Sequence, residues 1–264
     1  MDPAKKEFDL IADSTMSLGD HLEELRLRLI LALLGLGAAV IACLFFGTFI
    51  IAFIERPYIA ALGEAARLQS LAPADGFTSY MEISAMAGVV LSSPWIFYQL
   101  WMFVSAGLYP HEKRYVYMAM PFSTGLFIVG ALFFVFVIAP VTLKFLVMFN
   151  KQVLRVDSNF TFQNYVSFIA AMMLIFGIAF QTPVAIFFLY KAGLVSIKAL
   201  RSSRKFVVLG IVVVAAIATP GSDVFSLFSL AIPLYLLFEL GILLCWFSER
   251  KKGLGDSAKT SASD

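Results

Sequence analysis

Two short clusters of charged and aromatic residues stand where long apolar runs begin or end. The first is His21-Leu-Glu-Glu-Leu-Arg-Leu-Arg28, and the second is Leu108-Tyr-Pro-His-Glu-Lys-Arg114. Each cluster holds a carboxylate, Glu24 or Glu112, among apolar and basic neighbours. A carboxylate binds a guanidinium through two parallel hydrogen bonds, and the planar fork of arginine fits it better than the ammonium of lysine. Two such carboxylates on one surface could therefore bind two neighbouring arginines of a peptide.

The spacing leaves a plain structural role open for both carboxylates. At 100° per residue His21, Glu24 and Arg28 share one helix face, so Glu24 could simply pair with Arg28 at a gain of a few tenths of a kcal/mol. Pro110 could begin a helix whose positive N-terminal end favours Glu112. Leu22, Leu25 and Leu29 form an apolar stripe on the first helix.

The composition indicates that lipid surrounds the elements that position these clusters. Of 264 residues, 60% are apolar and 14% are charged, whereas a soluble domain carries roughly 25% charged residues. The mean hydropathy is +0.87. Twenty Lys and Arg against 18 Asp and Glu leave a net charge of +2, which gives no reason to expect nucleic acid as a partner.

Five runs without charged residues and a sixth interrupted only by Glu239 predict an all-α polytopic membrane protein with six transmembrane helices. They are Leu29–Ile54, Ile83–His111, Tyr115–Leu143, Ser158–Tyr190, Phe206–Ser222 and Val224–Phe247, the last containing Glu239. A helix needs about 20 apolar residues to cross about 30 Å of hydrocarbon. Pro220 and Gly221 should end the fifth helix near Thr219, which makes it a short span.

The basic residues predict the orientation and the domain organisation. Fifteen of the 20 Lys and Arg fall on the side of the termini and five on the other side, so both termini should be cytoplasmic. Residues 1–252 should form one six-helix membrane domain, and residues 253–264 a disordered polar tail. The loop 55–82 should contain an amphipathic segment at 59–71.

Polar residues inside the spans are few, and each has a cost in lipid. An ionised Glu239 would cost a few kcal/mol, so it should face protein or a water pocket, protonated or paired. Glu239 and Gln181 could each instead hydrogen-bond its span to a neighbouring one, and for Gln181 the carbonyls freed around Pro183 are candidate partners. Four prolines should bend the spans into a concave wall: Pro94, Pro140, Pro183 and Pro233.

The sequence offers no residues for an enzyme, a cofactor or a metal. It contains no G-x-x-x-x-G-K-[ST], H-E-x-x-H or G-x-S-x-G motif, and no Asp lies inside a predicted span, since Asp223 is at an external end. Cys43 and Cys245 fall at different depths, which argues against a disulfide, and with two His they make no metal-ligand spacing. Small apolar filler is their expected role.

Six motifs taken together resemble those of the TatC family, the signal-recognition subunit of the twin-arginine protein translocase. The resemblance covers about residues 17–250, and the motifs occur in the family's order and spacing. They begin at His21, Pro94, Leu108, Phe176, Thr219 and Ala231 and read HLEELRLRL, PWIFYQLWMF, LYPHEKR, FGIAFQTPV, TPGSDVF and AIPLYLLFELG.

The resemblance implies a membrane protein of the bacterial inner membrane that binds the twin-arginine signal of folded export substrates. Transport in this family draws on the proton-motive force without nucleotide, and the partners are TatA/TatB-type single-span proteins and further copies within a complex. It implies that Glu24 and Glu112 bind the paired arginines, with Phe103, Leu108 and Tyr109 beside them. Arg26 and Arg28 fall on the family's basic positions, and His21 lies in the same motif.

Three positions depart from the family pattern. Gln181 stands where the fourth span usually carries a carboxylate, and an amide cannot titrate. The turn Thr219-Pro-Gly-Ser-Asp223 has one residue more than the commoner T-P-P-D form. Leu227 replaces a polar residue that contacts the partner helix in relatives, which leaves Thr219 and Asp223 as candidate contacts.

Two other functions stay open from the sequence. A secondary transporter of a small solute would have a site near the bilayer midplane between repeated halves, where Glu239 and Gln181 could serve. A membrane scaffold without a ligand would leave the carboxylates in local pairs.

Overall fold

The computed structural model describes residues 18–63, 68–108, 113–156, 160–218 and 224–260, and most of these are helical. The helices are α1 (Leu18–Phe45), α2 (Gly47–Ile54), α3 (Arg56–Leu62), α4 (Asp75–Ala106), α5 (Lys113–Phe133), α6 (Ala139–Phe149), α7 (Phe162–Ala179), α8 (Thr182–Lys191), α9 (Ile197–Ser202), α10 (Arg204–Ala218) and α11 (Val224–Thr260). Within these ranges the only strand-like pairing is a single bridge between Gln69 and Thr161. The all-α prediction is confirmed.

Five stretches of the described residues are long and apolar enough to cross a membrane. They are Gly19–Phe45, Asp75–Ala106, Lys113–Leu154, Phe162–Lys191 and Leu227–Arg250. These match the first four predicted spans and the sixth. The fifth predicted span corresponds to α10, whose 15 residues extend about 22 Å. The short fifth helix is therefore found, whereas the count of six spans stays a prediction.

The third stretch is one continuous helical rod of 42 residues. A π-helical turn at Phe134–Ile138 joins α5 to α6, and a second at Asn150–Leu154 extends α6. The rod continues past Lys144 and Lys151, although the charge-free run ends at Leu143. A charge ends an apolar run but does not end a helix.

Local backbone signals correct the predicted loop 55–82. The predicted amphipathic segment 59–71 is wrong in extent, because α3 ends at Leu62 and Gly63 follows with a φ of 91°. Glycine adopts such a positive φ more readily than other residues, so the chain can leave the helix at this point. Helix α4 already begins at Asp75, whose Oδ2 accepts hydrogen bonds from the backbone N–H groups of Leu71 and Ala72 at 2.9 and 2.8 Å.

Helices α1 and α4 pack closely along their length, and Gly88 permits this approach. A Cβ at Gly88 would lie 2.5 Å from Val40 Cγ2 and 2.9 Å from its Cα. Small residues allow such contact between membrane helices. Trp95 Nε1 donates to the Leu31 carbonyl at 2.9 Å, and the Tyr80 hydroxyl donates to that of Leu44.

The main core lies between α4, the rod and α7. Its most buried large side chains are Ile83, Phe134, Ile169, Met172 and Phe176. Ile186 on α8 and Phe238, Ile242 and Cys245 on α11 belong to a second cluster. Large apolar side chains such as Leu34, Phe45, Phe122 and Leu236 are exposed, as expected of surfaces that face lipid.

The prolines occur in two settings. Pro183 follows the turn between α7 and α8, and Pro140 begins α6 after the π-helical turn. Pro94 and Pro233 lie inside uninterrupted helices, as does Pro121 in α5. Two of the four predicted positions therefore coincide with breaks in regular α-helix, and the concave wall stays a prediction.

The last helix continues to Thr260 and so includes residues 253–260 of the predicted disordered tail. Residues 261–264 lie outside the described residues. The division of the chain into a domain of residues 1–252 and a tail stays a prediction.

Candidate functional site

The start of α1 and the end of α4 meet at one end of the bundle, together with the start of α5 and the end of α8. We call this the basic end, because Arg26, Arg28, Lys113, Arg114 and Lys191 lie there. Two contacts define it. The His21 ring stacks on Phe103 with centroids 4.5 Å apart, and Lys191 Nζ lies 5.6 Å from the centroid of the Tyr115 ring.

Glu24, Arg28 and Gln99 form a hydrogen-bonded chain from α1 to α4. Arg28 Nε donates to Glu24 Oε1 at 2.7 Å, and Arg28 Nη1 donates to Gln99 Oε1 at 3.1 Å. The Arg28 and Glu24 side chains keep 21% and 22% of their surface exposed, whereas Gln99 keeps 2%. The buried amide of Gln99 thus holds the Arg28 side chain in place, while Glu24, the carboxylate partner of Arg28, remains partly exposed to solvent.

His21 lies between Phe103 and Gly107 on the last turn of α4. A Cβ at Gly107 would be 3.4 Å from His21 Cε1. His21 Nδ1 is buried and has no hydrogen-bond partner among the described residues. Burying a polar atom without a partner is costly, so each such atom in a native structure calls for an explanation.

The α1 face predicted from spacing is confirmed. His21, Glu24 and Arg28 all face α4, and Leu22, Leu25 and Leu29 are exposed on other sides of the helix. Of the other candidates, Phe103 and Leu108 are half-buried and Arg26 is exposed. Tyr109, Glu112, Thr219 and Asp223 lie outside the described residues.

Glu239 is paired, which is one of the two states predicted for it. Arg204 Nη2 donates to Glu239 Oε2 at 2.8 Å, and the Tyr235 hydroxyl donates to Oε1 at 2.9 Å. The ion pair joins the start of α10 to α11. An ionised carboxylate near the apolar interior is stabilised by such a pair.

Gln181 also connects helices, but through a partner that the sequence did not predict. Its Nε2 donates to the Ser123 carbonyl of α5 at 2.8 Å, and not to carbonyls around Pro183. Ser123 Oγ accepts a hydrogen bond from Trp101 Nε1 of α4 at 2.9 Å. The amide therefore belongs to a contact between α4, α5 and the turn before α8.

Gln99 is the site residue that sequence reasoning missed. The available signal was a lone amide within an apolar run, one helical turn before Phe103. Nothing in the sequence specifies which side of α4 faces α1, so its contact with Arg28 depends on the packing.

No metal-binding group of three or more His, Cys, Asp or Glu occurs among the residues that the structure covers. Cys43 and Cys245 are buried and free. The polar chemistry of the described residues is hydrogen bonding and ion pairing of carboxylates, guanidinium groups and amides.

Comparison with protein families gives a match over most of the chain. The sequence model of the family described as "Sec-independent protein translocase protein (TatC)" matches residues 20–233. A protein of this name from Desulforapulum autotrophicum is 32% identical, over 93% of this chain and 90% of that protein. The Escherichia coli K12 protein of the same name is 34% identical, over 89% and 90%.

A solved structure has the same fold. The crystal structure titled "Twin Arginine Translocase Receptor- TatC" superposes with a TM-score of 0.78 at 33% identity. The match covers 87% of this chain and 99% of that one.

Proposed function

Because the chain belongs to the TatC family of Sec-independent protein translocase proteins, we propose that it recognises the twin-arginine signal of folded export substrates at its basic end. The proposed ligands for the two arginines are Glu24 and Glu112. His21, Arg26, Arg28, Phe103, Leu108 and Tyr109 surround them in this proposal. As a multi-pass component of a protein translocase, the chain is a transport protein.

One observation carries the proposal: Glu24 is already bound to a guanidinium. Arg28 occupies its Oε1, and Oε2 accepts no hydrogen bond among the described residues. An arginine of the signal offers the same group to the remaining oxygen and can also compete for the first. Glu24 therefore has one oxygen available for a second guanidinium, beside the one that Arg28 supplies within α1.

The neighbours of Glu24 suit a peptide that carries arginines and then an apolar stretch. Phe103 offers an aromatic surface and is itself held by the stacked His21 ring. Gln99 keeps Arg28 engaged, so Arg28 has a second acceptor if it gives up Glu24.

The test is binding of a labelled twin-arginine peptide to the purified full chain in nanodiscs, followed by fluorescence anisotropy. Glu24→Gln should weaken binding about tenfold or more, because a hydrogen bond to a charged group contributes about 1.5–3 kcal/mol. Glu112→Gln should do the same. A peptide with both arginines replaced by lysine should also bind more weakly, since the fork geometry is lost.

Glu23→Gln is the matched control, because Glu23 is the neighbouring carboxylate on α1 and is exposed. It should leave the affinity unchanged. Unaltered binding by Glu24→Gln, or an equal loss in Glu23→Gln, would contradict the assignment of the site.

The remaining parts of the proposal concern the membrane and the partners. The chain would lie in the bacterial inner membrane with both termini in the cytoplasm and assemble with TatA/TatB-type single-span proteins and further copies of itself. Thr219 and Asp223 are the proposed contacts for a partner helix, and transport would draw on the proton-motive force. Since Gln181 is an amide bonded to the Ser123 carbonyl, proton coupling in this chain would not run through that position.

The secondary-transporter hypothesis is not favoured. The polar residues that it would use have structural partners in other helices, namely Arg204 for Glu239 and Ser123 for Gln181. Family membership points to protein substrates instead.

A further inference from the structure

A groove on the lipid-facing surface opens between α5, α8 and α11, separate from the His21–Glu24–Gln99 contacts. Helix α5 contributes Met118 and Phe122, α8 contributes Pro183 and Phe187, and α11 contributes Leu240 and Leu244. Its volume is about 390 Å³. Met118 and Phe122 are 51% and 60% exposed, so the groove is open along one side.

The groove reaches about as deep as one leaflet of a bilayer. Along α5 it runs from Tyr115 to Leu126, about 16 Å at 1.5 Å per residue. Half of a hydrocarbon core of about 30 Å is about 15 Å. One end lies beside Lys191 at the basic end, and the other lies beside Pro183, eight residues and about 12 Å back along α8.

Among the described residues, Lys191 is the one charged residue that lines this groove. Its Nζ lies 5.6, 5.5 and 6.0 Å from the ring centroids of Tyr115, Phe187 and Tyr190, so three aromatic rings hold the ammonium at the mouth. The two ion pairs of the described residues, Arg28–Glu24 and Arg204–Glu239, do not involve it. Within the described residues its N–H donors have no carboxylate or carbonyl acceptor.

We propose that this groove binds one anionic phospholipid, with an acyl chain between α5, α8 and α11 and its phosphate on Lys191. An apolar slot of leaflet depth with a cation at its mouth matches the two parts of such a lipid. Basic pockets between membrane helices on the cytoplasmic side are known lipid headgroup sites. A single-span partner helix or a second copy of the chain would need no cation at that depth.

The experiment is native mass spectrometry of the full-length protein in detergent, titrated with dioleoylphosphatidylglycerol or dioleoylphosphatidylcholine. The two lipids share their acyl chains and differ in headgroup charge. The anionic lipid should bind about fivefold more tightly, the effect of one basic residue near the surface. Lys191→Gln should abolish this preference, mainly by weakening the anionic lipid, because the choline cation of phosphatidylcholine already offsets the charge of its phosphate.

Two matched controls separate the groove from general surface charge and from general apolar binding. Lys198→Gln removes an exposed basic residue of α9 outside the groove and should keep the preference. Ala119→Trp fills the groove and should reduce binding of both lipids, whereas Ala171→Trp, at an exposed position of α7, should not.

Three results would overturn the proposal. The first is an unchanged preference in Lys191→Gln, and the second is an equal loss in Lys198→Gln. The third is unaltered lipid binding in Ala119→Trp combined with loss of a bound protein chain, which would identify a partner helix or a second copy as the occupant. Gel-filtration elution at the wild-type position establishes that each variant is folded.

Discussion

The two carboxylate–arginine pairs of the described residues differ in what they connect. Glu24 and Arg28 are one turn apart on α1, at 2.7 Å. Glu239 and Arg204 are 35 residues apart and join α11 to α10 at 2.8 Å. Opening the first pair needs only side-chain rotation, whereas opening the second frees one helix from another. A pair within one helix can exchange its partner for a ligand, and a pair between helices is suited to hold the fold.

Loss of the pair between helices should have the largest effect on stability. Arg204→Ala leaves Glu239 with Tyr235 as its remaining partner, and should lower the free energy of unfolding by about 1 kcal/mol, the upper value for a partly exposed ion pair. The measurement is an SDS titration followed by tryptophan fluorescence. Arg201→Ala, at an exposed basic residue of α9, should change little. Replacing both Arg204 and Glu239 by Met should recover most of this lost stability. A severalfold loss of signal-peptide binding in Arg204→Ala would contradict the purely structural role assigned to the Arg204–Glu239 pair.

Gln99→Leu should weaken signal-peptide binding about fivefold, because one hydrogen bond of about 1 kcal/mol that orients Arg28 is lost. The readout is the anisotropy titration with the twin-arginine peptide. Gln152→Leu is the control, since Gln152 is exposed on the helical rod. Equal affinity of Gln99→Leu and wild type would show that the buried amide does not support the site.

Gln181→Leu tests a neutral contact between helices. It removes the donor to the Ser123 carbonyl and should cost about 0.6 kcal/mol, the average for hydrogen bonds between membrane helices. The SDS titration should detect this loss, and peptide binding should be unchanged. If Gln181→Leu lowered the free energy of unfolding as much as Arg204→Ala does, the charge of the Arg204–Glu239 pair would not explain its contribution to stability.

The smallest expected effect is that of Glu24→Gln on stability. An i,i+4 pair contributes about 0.3–0.5 kcal/mol, so the SDS midpoint should hardly move while signal binding falls about tenfold. If this variant unfolded as readily as Arg204→Ala, Glu24 would be a structural residue, and the ligand role would lose its main support.

Features set by local spacing were predictable from the sequence, and features set by packing were not. The α1 face that carries His21, Glu24 and Arg28 follows from 100° per residue, and the Glu24–Arg28 bond was foreseen as an alternative. The contact with Gln99 requires knowing how α4 is rotated against α1. In the same way, Glu239 was expected to have a partner, but Arg204 follows only from the packing of α10 on α11.

Helix bounds show the same division. The charge-free runs located the helices, and the His21–Arg28 cluster indicated that α1 begins before Leu29, but nothing in the sequence indicated the extension of the rod beyond Leu143. Charged residues are unfavourable in lipid but fully compatible with a helix outside it. Gln181 was assigned partners near its own proline because nearby groups are all that a sequence offers. Its real partner, Ser123, is 58 residues away.

The continuous rod from Lys113 to Leu154 is too long to be submerged. Its 42 residues extend about 60 Å, twice the thickness of the hydrocarbon core. If the rod begins at the basic end, its C-terminal part, with Lys144 and Lys151, extends beyond the opposite side of the hydrocarbon core. The short helix α3 packs against α6 in this part of the rod. Under the proposed function, an exported protein would therefore pass the positively charged residues Lys144 and Lys151 of this helix before it reaches bulk solvent.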